Sequence, residues 1–214
     1  MTGRLKVFHH NLPLFYGIFR RMKRRLFLAV NLPEGVQASV SSGVAALEKD
    51  FSGKQARFLD DKNRHITLIF LGYQPDEALS GILAAMESAV GKFSGPKIEL
   101  DSNFSYVPEK NPRMIWLKCS KDTSATLGKV KDFLEEKLID NKIHFKIENR
   151  VFNAHMTICR FADLMRNNLP KLSVNLKGNL SFGAASLDLM ESHVSRSGAE
   201  YELLQSMDFR TNLE

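Results

Sequence analysis

The sequence predicts an α+β protein built from two similar lobes. Short apolar runs rich in branched residues alternate with segments whose apolar residues recur at helical spacing along the 214 residues. No strand-like run is followed by the glycine-rich fingerprint of a dinucleotide-binding fold. Two segments about one small lobe apart also resemble each other, which indicates pseudo-symmetry.

In the first half, branched and apolar runs predict strands, and periodic apolar residues predict helices. Val36, Val40, Val44 and Leu47 share one face of the first helix. We place strands at Leu26–Leu32, Arg57–Leu59 and His65–Leu71, and helices at Glu34–Lys49 and Asp76–Val90. Asp76 is the expected N-cap of the second helix, and Gly91 follows its expected end.

The second half repeats this order of elements. A helix is predicted over Thr123–Ile139, because Leu127, Val130, Phe133, Leu134 and Leu138 lie on one face. Strands are predicted at Ile98–Tyr106, Arg113–Lys118, His155–Cys159, Ala185–Glu191 and Tyr201–Met207.

Charge and cysteine usage narrow the class of partner. The formal net charge of +6 favours anionic partners such as nucleotides or RNA. Cys119 and Cys159 lie within apolar runs, which is typical of reduced, packed thiols, so we expect a cytoplasmic protein. No apolar stretch approaches the roughly 20 residues of a membrane helix, and no membrane partner is predicted.

Residues 1–21 are expected to be an N-terminal extension outside the fold, and residues 22–214 a single bilobal domain. The extension is basic and aromatic, so contact with a membrane or with RNA is an alternative role for it. Met22 is followed by KRRLFLAVNLP, a better start for a folded domain. We expect a monomer, because one pair of lobes supplies the whole site.

The internal similarity centres on two His-x-Thr sequences, at His65 and His155. Each follows an Asn-Arg element, in FLDDKNRHITLIFLG and FKIENRVFNAHMTICRF. Side chains alternate along a strand, so each histidine projects from the same face as its threonine, Thr67 or Thr157. If the two strands are adjacent, two imidazoles and two hydroxyls line one pocket.

This combination suits phosphodiester hydrolysis without a metal. A neutral histidine removes a proton from water and a protonated one donates a proton to the leaving alkoxide, tasks that fit a pKa of about 6.5. Threonine hydroxyls donate hydrogen bonds to phosphate oxygens. A single His-x-Thr is more often an ordinary strand residue, and metal binding is the rival functional reading. We expect no metal or other cofactor, since each motif gives one ligand and no cluster with ligand spacing lies nearby.

At these residues the chain resembles the 2H phosphoesterase superfamily, named for its paired His-x-Thr/Ser-x motifs. More narrowly, it is similar to bacterial and archaeal RNA 2′,3′-cyclic phosphodiesterases, historically called RNA 2′-5′ ligases. The similarity runs from about Arg25 to Phe209. It includes RRLFLAVNLPEGV, NRHITLIFLG, RMIWLK, FNAHMTICRF and SHVSRSGAEYELL.

The resemblance implies a bilobal α+β fold with antiparallel sheets around a central cleft. It implies metal-independent hydrolysis of RNA or nucleoside 2′,3′-cyclic phosphates to 2′-phosphates. It assigns His65 as general acid, His155 as general base, and Thr67, Thr157 and Arg160 as phosphate contacts. Which histidine is acid stays open, because the roles exchange in the ligation direction.

Three further residues are predicted at the rim of the pocket as base or edge contacts, Phe27, Ser192 and Arg196. For Phe27, core packing is the preferred interpretation. Arg64 and Arg150 could line the cleft, but solvated loop charge is the preferred interpretation for each. Cys159 is expected to face the core. The alternative functions are a 2′-5′ RNA ligase or small cyclic nucleotide phosphodiesterase of the same superfamily, and a catalytically silent RNA-binding module.

Overall fold

A computed structural model describes residues 23–161, 169–195 and 198–210. In these ranges the chain forms three α-helices, α1 (Glu34–Asp50), α2 (Leu79–Lys92) and α3 (Lys121–Asp140). It also forms nine strands, β1 (Lys23–Asn31), β2 (Ala56–Phe58), β3 (His65–Pro75), β4 (Lys97–Val107), β5 (Met114–Cys119), β6 (His155–Phe161), β7 (Ser181–Gly183), β8 (Ser186–Ser195) and β9 (Gly198–Asp208). The α+β prediction is confirmed, and residues 1–21 lie outside the described ranges.

The strands form one continuous antiparallel path in the order β7-β4-β5-β6-β3-β1-β8-β9, with β2 also paired to β6. The two halves of the molecule therefore join at β3 and β6. The register between β3 and β6 is the single pair Ile66 and Met156, and the three pairs between β2 and β6 extend the junction. The predicted lobes are thus two halves of one curled sheet.

The main core lies between the sheet and the helices. The apolar residues predicted to share a face of α1 are all buried, as are Leu127, Val130, Leu134 and Leu138 of α3, while Phe133 is half-buried. Each such side chain contributes roughly 1.5–3 kcal/mol through removal from water. Cys119 and Cys159 are free and buried, as expected, and burial raises the pKa of each thiol to about 12.

The second helix differs from its prediction at both ends. A 3₁₀ turn occupies Asp76–Ala78, and α2 then runs through Gly91 to Lys92. Asp76 caps no helix, because its carboxylate lies 3.3 Å from the Arg24 guanidinium. An ion pair to a neighbouring strand has replaced the capping hydrogen bond. The short strand β7 was not predicted.

The face of the sheet opposite the helices carries a second, smaller apolar cluster. It consists of Phe27, Ala29 and Met190, with Tyr201 packed against it. This face is called the cleft face below. In the described ranges no helix is long and apolar enough to cross a membrane.

Candidate active site

The two His-x-Thr sequences lie side by side at the centre of the sheet. Strand β3 begins at His65 and β6 begins at His155, and Ile66 pairs with Met156. Because the strands are antiparallel, this register sets each histidine opposite the threonine of the other motif. Opposite residues have Cβ atoms about 4.5–5.5 Å apart. Ile66 and Met156 are fully buried in the main core, so the four polar side chains lie on the cleft face.

A bulge then brings Arg160 to the same face. Simple alternation would place Cys159 beside Thr157 and turn Arg160 into the core. Instead, Ile158 and Cys159 are both 0% exposed, and the β5–β6 register shifts at this point. The extra residue reverses the alternation, as β-bulges do, and Arg160 is exposed on the cleft face.

The first motif has the same bulge. Leu68 and Ile69 are both buried, and the β1–β3 register shifts between the partners of Thr67 and Ile69. Phe70, five residues after His65, is consequently 57% exposed on the cleft face. Phe70 is thus the pseudo-symmetric counterpart of Arg160. Because the strands are antiparallel, these two residues lie at opposite ends of the cleft.

His155 is held by one hydrogen bond and one stacked ring. Its Nδ1 lies 2.7 Å from the backbone oxygen of Asn153. The Trp116 ring stacks on the imidazole with centroids 3.4 Å apart and planes 16° apart. Burial lowers the pKa of His155, the Asn153 carbonyl opposes this, and the positive charges of Arg150 and Arg160 lower the pKa further.

His65 lies in a tighter aromatic environment. Its ring centroid is 4.8 Å from that of Phe27 and 4.9 Å from that of Tyr201, which meets it edge-on. Burial lowers the pKa of His65 to about 4, assisted by the charges of Arg160 and His155. The Asn63 carbonyl favours the protonated ring, although the buried Nδ1 makes no hydrogen bond of ordinary geometry.

An asparagine two residues before each histidine is a shared feature that the sequence reasoning missed. The carbonyls of Asn63 and Asn153 each face the imidazole that follows. Asn63 is also buried, and its side-chain oxygen accepts a hydrogen bond from the Tyr201 backbone N–H at 3.2 Å. In the sequence, this feature is the pattern Asn-x-His, which occurs in both motifs. The Asn-Arg element of the second motif contains a different asparagine, Asn149, six residues before His155.

The predicted rim contacts are not brought together. Phe27 is 1% exposed beneath His65 and offers no free ring face to a base. Ser192 is buried, and its hydroxyl accepts a hydrogen bond from Arg25 at 3.2 Å, so it does not edge the pocket. Arg196 lies outside the described residues. Tyr201, which the sequence placed only at the start of a late strand, contacts His65 directly.

The two arginines interpreted as loop charges have different surroundings. Arg64 is buried, donates to the Leu59 carbonyl and the Ser41 hydroxyl at 2.9 Å each, and pairs with Asp61. Its interpretation as a solvated charge was therefore wrong, because it anchors the segment that precedes His65. Arg150 is exposed and paired with Glu148, as that interpretation expected.

A group of side chains of metal-ligating type occurs elsewhere on the sheet. Glu191, His193 and Glu202 bring their ligand atoms within 4.8 Å of one another. They lie on the β8–β9 hairpin, and His193 is exposed beside Glu202. Neither His65 nor His155 belongs to this group.

The chain is similar in sequence to proteins of known family. The family model described as LigT-like phosphoesterase matches residues 30–116. An RNA 2′,3′-cyclic phosphodiesterase of Methanocaldococcus jannaschii is 26% identical over 85% of this chain and 98% of its own length. A protein of the same description from Thermus thermophilus is 26% identical over 87% of this chain and 90% of its own.

Solved structures share the whole fold. A crystal structure of a Thermus thermophilus protein superposes with a TM-score of 0.70 at 25% identity, covering 88% of this chain and 99% of that one. Escherichia coli LigT in its apo form gives a TM-score of 0.66 at 21% identity, over 88% and 98% of the two chains, which shows a common fold. With paired His-x-Thr strands at the centre of that fold, the chain is similar in sequence and in fold to the LigT-like phosphoesterases of the 2H superfamily.

Proposed function

We propose that this protein hydrolyses the 2′,3′-cyclic phosphate at RNA or nucleoside ends to a 2′-phosphate, without a metal ion. The observation that supports this most directly is the reciprocal arrangement of His65 opposite Thr157 and His155 opposite Thr67. The relatives described as RNA 2′,3′-cyclic phosphodiesterases support the choice of substrate.

In this mechanism, His155 removes a proton from a water molecule as its oxygen attacks phosphorus. The bond from phosphorus to the 3′ oxygen breaks, and His65 donates its proton to that oxygen. The product carries the phosphate on the 2′ oxygen and a free 3′ hydroxyl. Thr67 and Thr157 donate hydrogen bonds to the non-bridging oxygens, and Arg160 neutralises their charge.

The low pKa of His65 has a consequence for this assignment. At about 4, the imidazole is almost entirely neutral at pH 7 in the unliganded protein. An anionic phosphate beside the ring favours its protonated form and offsets both burial and the charge of Arg160. Substrate binding therefore supplies the condition under which His65 acts as an acid.

The base contact is reassigned from Phe27 to Phe70. Phe70 is exposed on the cleft face, at the end of the cleft near His155, and its ring centroid lies 6.0 Å from that of Phe27. An exposed aromatic ring of this kind stacks on a base whatever its sequence. Phe70 thus supplies the free ring face that Phe27 lacks.

The test is product analysis of a cyclic-phosphate-ended RNA by ³¹P NMR in the presence of EDTA. We expect a 2′-phosphate as the product, and no turnover by His65→Ala or His155→Ala variants that retain the wild-type circular dichroism spectrum. A 3′-phosphate product would refute the choice of leaving oxygen. Loss of wild-type activity in EDTA would refute the metal-independent mechanism, and RNA binding without hydrolysis would indicate a binding module.

A further inference from the structure

A second pair of opposed side chains continues the cleft face beyond His65. Strand β2 takes the place of β3 along the edge of β6, and Arg57 pairs with Arg160 in its register. Ala56 and Phe58 pack against the main core, so Arg57 projects from the cleft face. Both arginines are exposed. Along β6 from His155 to Arg160, the cleft face therefore carries the two His-x-Thr motifs first and the two arginines, side by side, next.

Within the described ranges, these two charges are not neutralised. Like charges directly opposite each other on neighbouring strands destabilise a sheet. Neither Arg57 nor Arg160 forms an ion pair with a carboxylate in the described part of the chain. Guanidinium groups bind phosphate through paired N–H donors, and an anion between the two arginines removes their repulsion.

The arginine pair lies beyond the two His-x-Thr motifs along β6. Three residues, one of them taken up by the bulge, lead from Thr157 to Arg160. At ~3.3 Å per residue, the arginine pair begins about 7 Å beyond the Thr157 position. That length is comparable to one nucleotide of an extended strand. Arg160 and Arg57 lie side by side at this distance, so with Arg160 on the reacting phosphate, Arg57 is the cation left for the next phosphate along the chain.

We propose that Arg57 binds the 5′-phosphodiester of the terminal nucleotide, which makes oligonucleotide ends better substrates than nucleoside 2′,3′-cyclic monophosphates. The inference rests on the proposed function and adds its substrate class. In an RNA that ends in a cyclic phosphate, the next phosphate along the chain is this diester. A mononucleotide cyclic phosphate lacks it.

A cavity at the same end of β3 provides room for the preceding nucleoside. It measures about 240 Å³, and its walls include Asn31, Lys62, Tyr201 and Leu203. Lys62 belongs to the segment that joins β2 to β3, and Tyr201 both lines the cavity and contacts His65. Amide, ammonium, aromatic and apolar groups together suit a nucleoside that is attached to a phosphate.

The experiment compares 2′,3′-cyclic AMP with the dinucleotide ApA ending in a 2′,3′-cyclic phosphate. We expect a higher kcat/KM for the dinucleotide in the wild-type protein. Arg57→Gln should lower kcat/KM for the dinucleotide about ten- to a hundredfold, the loss expected of one charge-assisted contact. It should change hydrolysis of cyclic AMP less than about twofold. Lys49→Gln is the matched control, because it removes one exposed cation from α1 on the helix side of the sheet.

Salt dependence and product binding are measurements that Arg57→Gln would not change selectively if Arg57 only stabilised the fold. The logarithm of kcat/KM for the dinucleotide should fall with the logarithm of salt concentration more steeply than for cyclic AMP, by about 0.7 for one phosphate contact. Arg57→Gln should remove that difference. It should also weaken calorimetric binding of ApA 2′-phosphate and leave binding of 2′-AMP unchanged.

The outcomes are distinguishable. Equal kcat/KM values for both substrates, or an equal loss on both with Arg57→Gln, would overturn the proposed subsite and leave the cyclic phosphodiesterase activity standing. Hydrolysis of neither substrate would refute the proposed function. In that case, binding of ApA 2′-phosphate and 2′-AMP still tests the subsite. If Arg57→Gln weakened the binding of both compounds or of neither, the proposed subsite would be overturned.

Discussion

Replacing His65 by glutamine should change how the stability of the protein depends on pH. The imidazole has a pKa of about 4 in the folded protein, against an ordinary value of 6.5 that applies to the unfolded chain. Between these values the unfolded state binds more protons, so the free energy of unfolding falls as the pH falls from 6.5 towards 4. At ~1.36 kcal/mol for each pKa unit, the gap corresponds to about 3 kcal/mol.

The assay is urea unfolding of the wild type, His65→Gln and the control His144→Gln at several pH values from 7 to 4. His144 is exposed, and its replacement controls for the loss of a histidine outside the site. We expect the wild type to lose about 3 kcal/mol more than His65→Gln over this range. Comparing the pH dependence rather than the absolute stability cancels any direct effect of the substitution on packing.

Parallel curves for the wild type and His65→Gln would refute the reasoning. They would mean that the aromatic environment formed by Phe27 and Tyr201 does not exclude the protonated ring. A second measurement follows the His65 Cε1 resonance by NMR. Titration near 6.5 in the unliganded protein would contradict the lowered pKa directly. Bound 2′-AMP should raise the titration midpoint of His65, because its anionic phosphate favours the protonated ring.

Three further substitutions test the site. Arg160→Gln should raise the pKa of both histidines, because the Arg160 charge lowers both, and should therefore shift the pH profile of kcat/KM to higher pH. Arg160→Lys keeps the charge and should leave the profile where it is. An unchanged profile in Arg160→Gln would contradict this. Phe70→Ala should raise KM for 2′,3′-cyclic AMP about five- to a hundredfold through lost stacking, with kcat little changed; an unaltered KM would exclude Phe70 as the base contact. Trp116→Ala should lower kcat about two- to tenfold by releasing the His155 ring, and Trp116→Phe should recover most of it; equal losses in both variants would show that the stack does not position the ring.

Periodicity predicted the elements well where one pattern dominated. The buried faces of α1 and α3 agree with helical spacing because each helix packs a single apolar stripe against the sheet. The start of α2 was wrong because Asp76 pairs with Arg24, a residue distant in the chain. Local signals for a cap cannot register that competing partner.

Strand alternation predicted the positions of the histidines and threonines of the candidate site, but not that of Arg160. It grouped each histidine with Thr67 or Thr157 and placed Ile66 and Met156 behind them, where they are buried. It would have turned Arg160 inward, and only the resemblance to the superfamily made this residue a candidate. The bulge in each strand explains why Arg160 and Phe70 are exposed.

The sequence by itself determined that the protein carries two His-x-Thr units on separate strands, because the period of a strand is a property of the backbone. Tertiary structure decided that β3 and β6 are neighbours, and so set His65 opposite Thr157 and Arg57 opposite Arg160. It also decided that Phe27 is covered while Phe70 is not. Pairing and exposure depend on contacts between residues far apart in the chain, which no local pattern records.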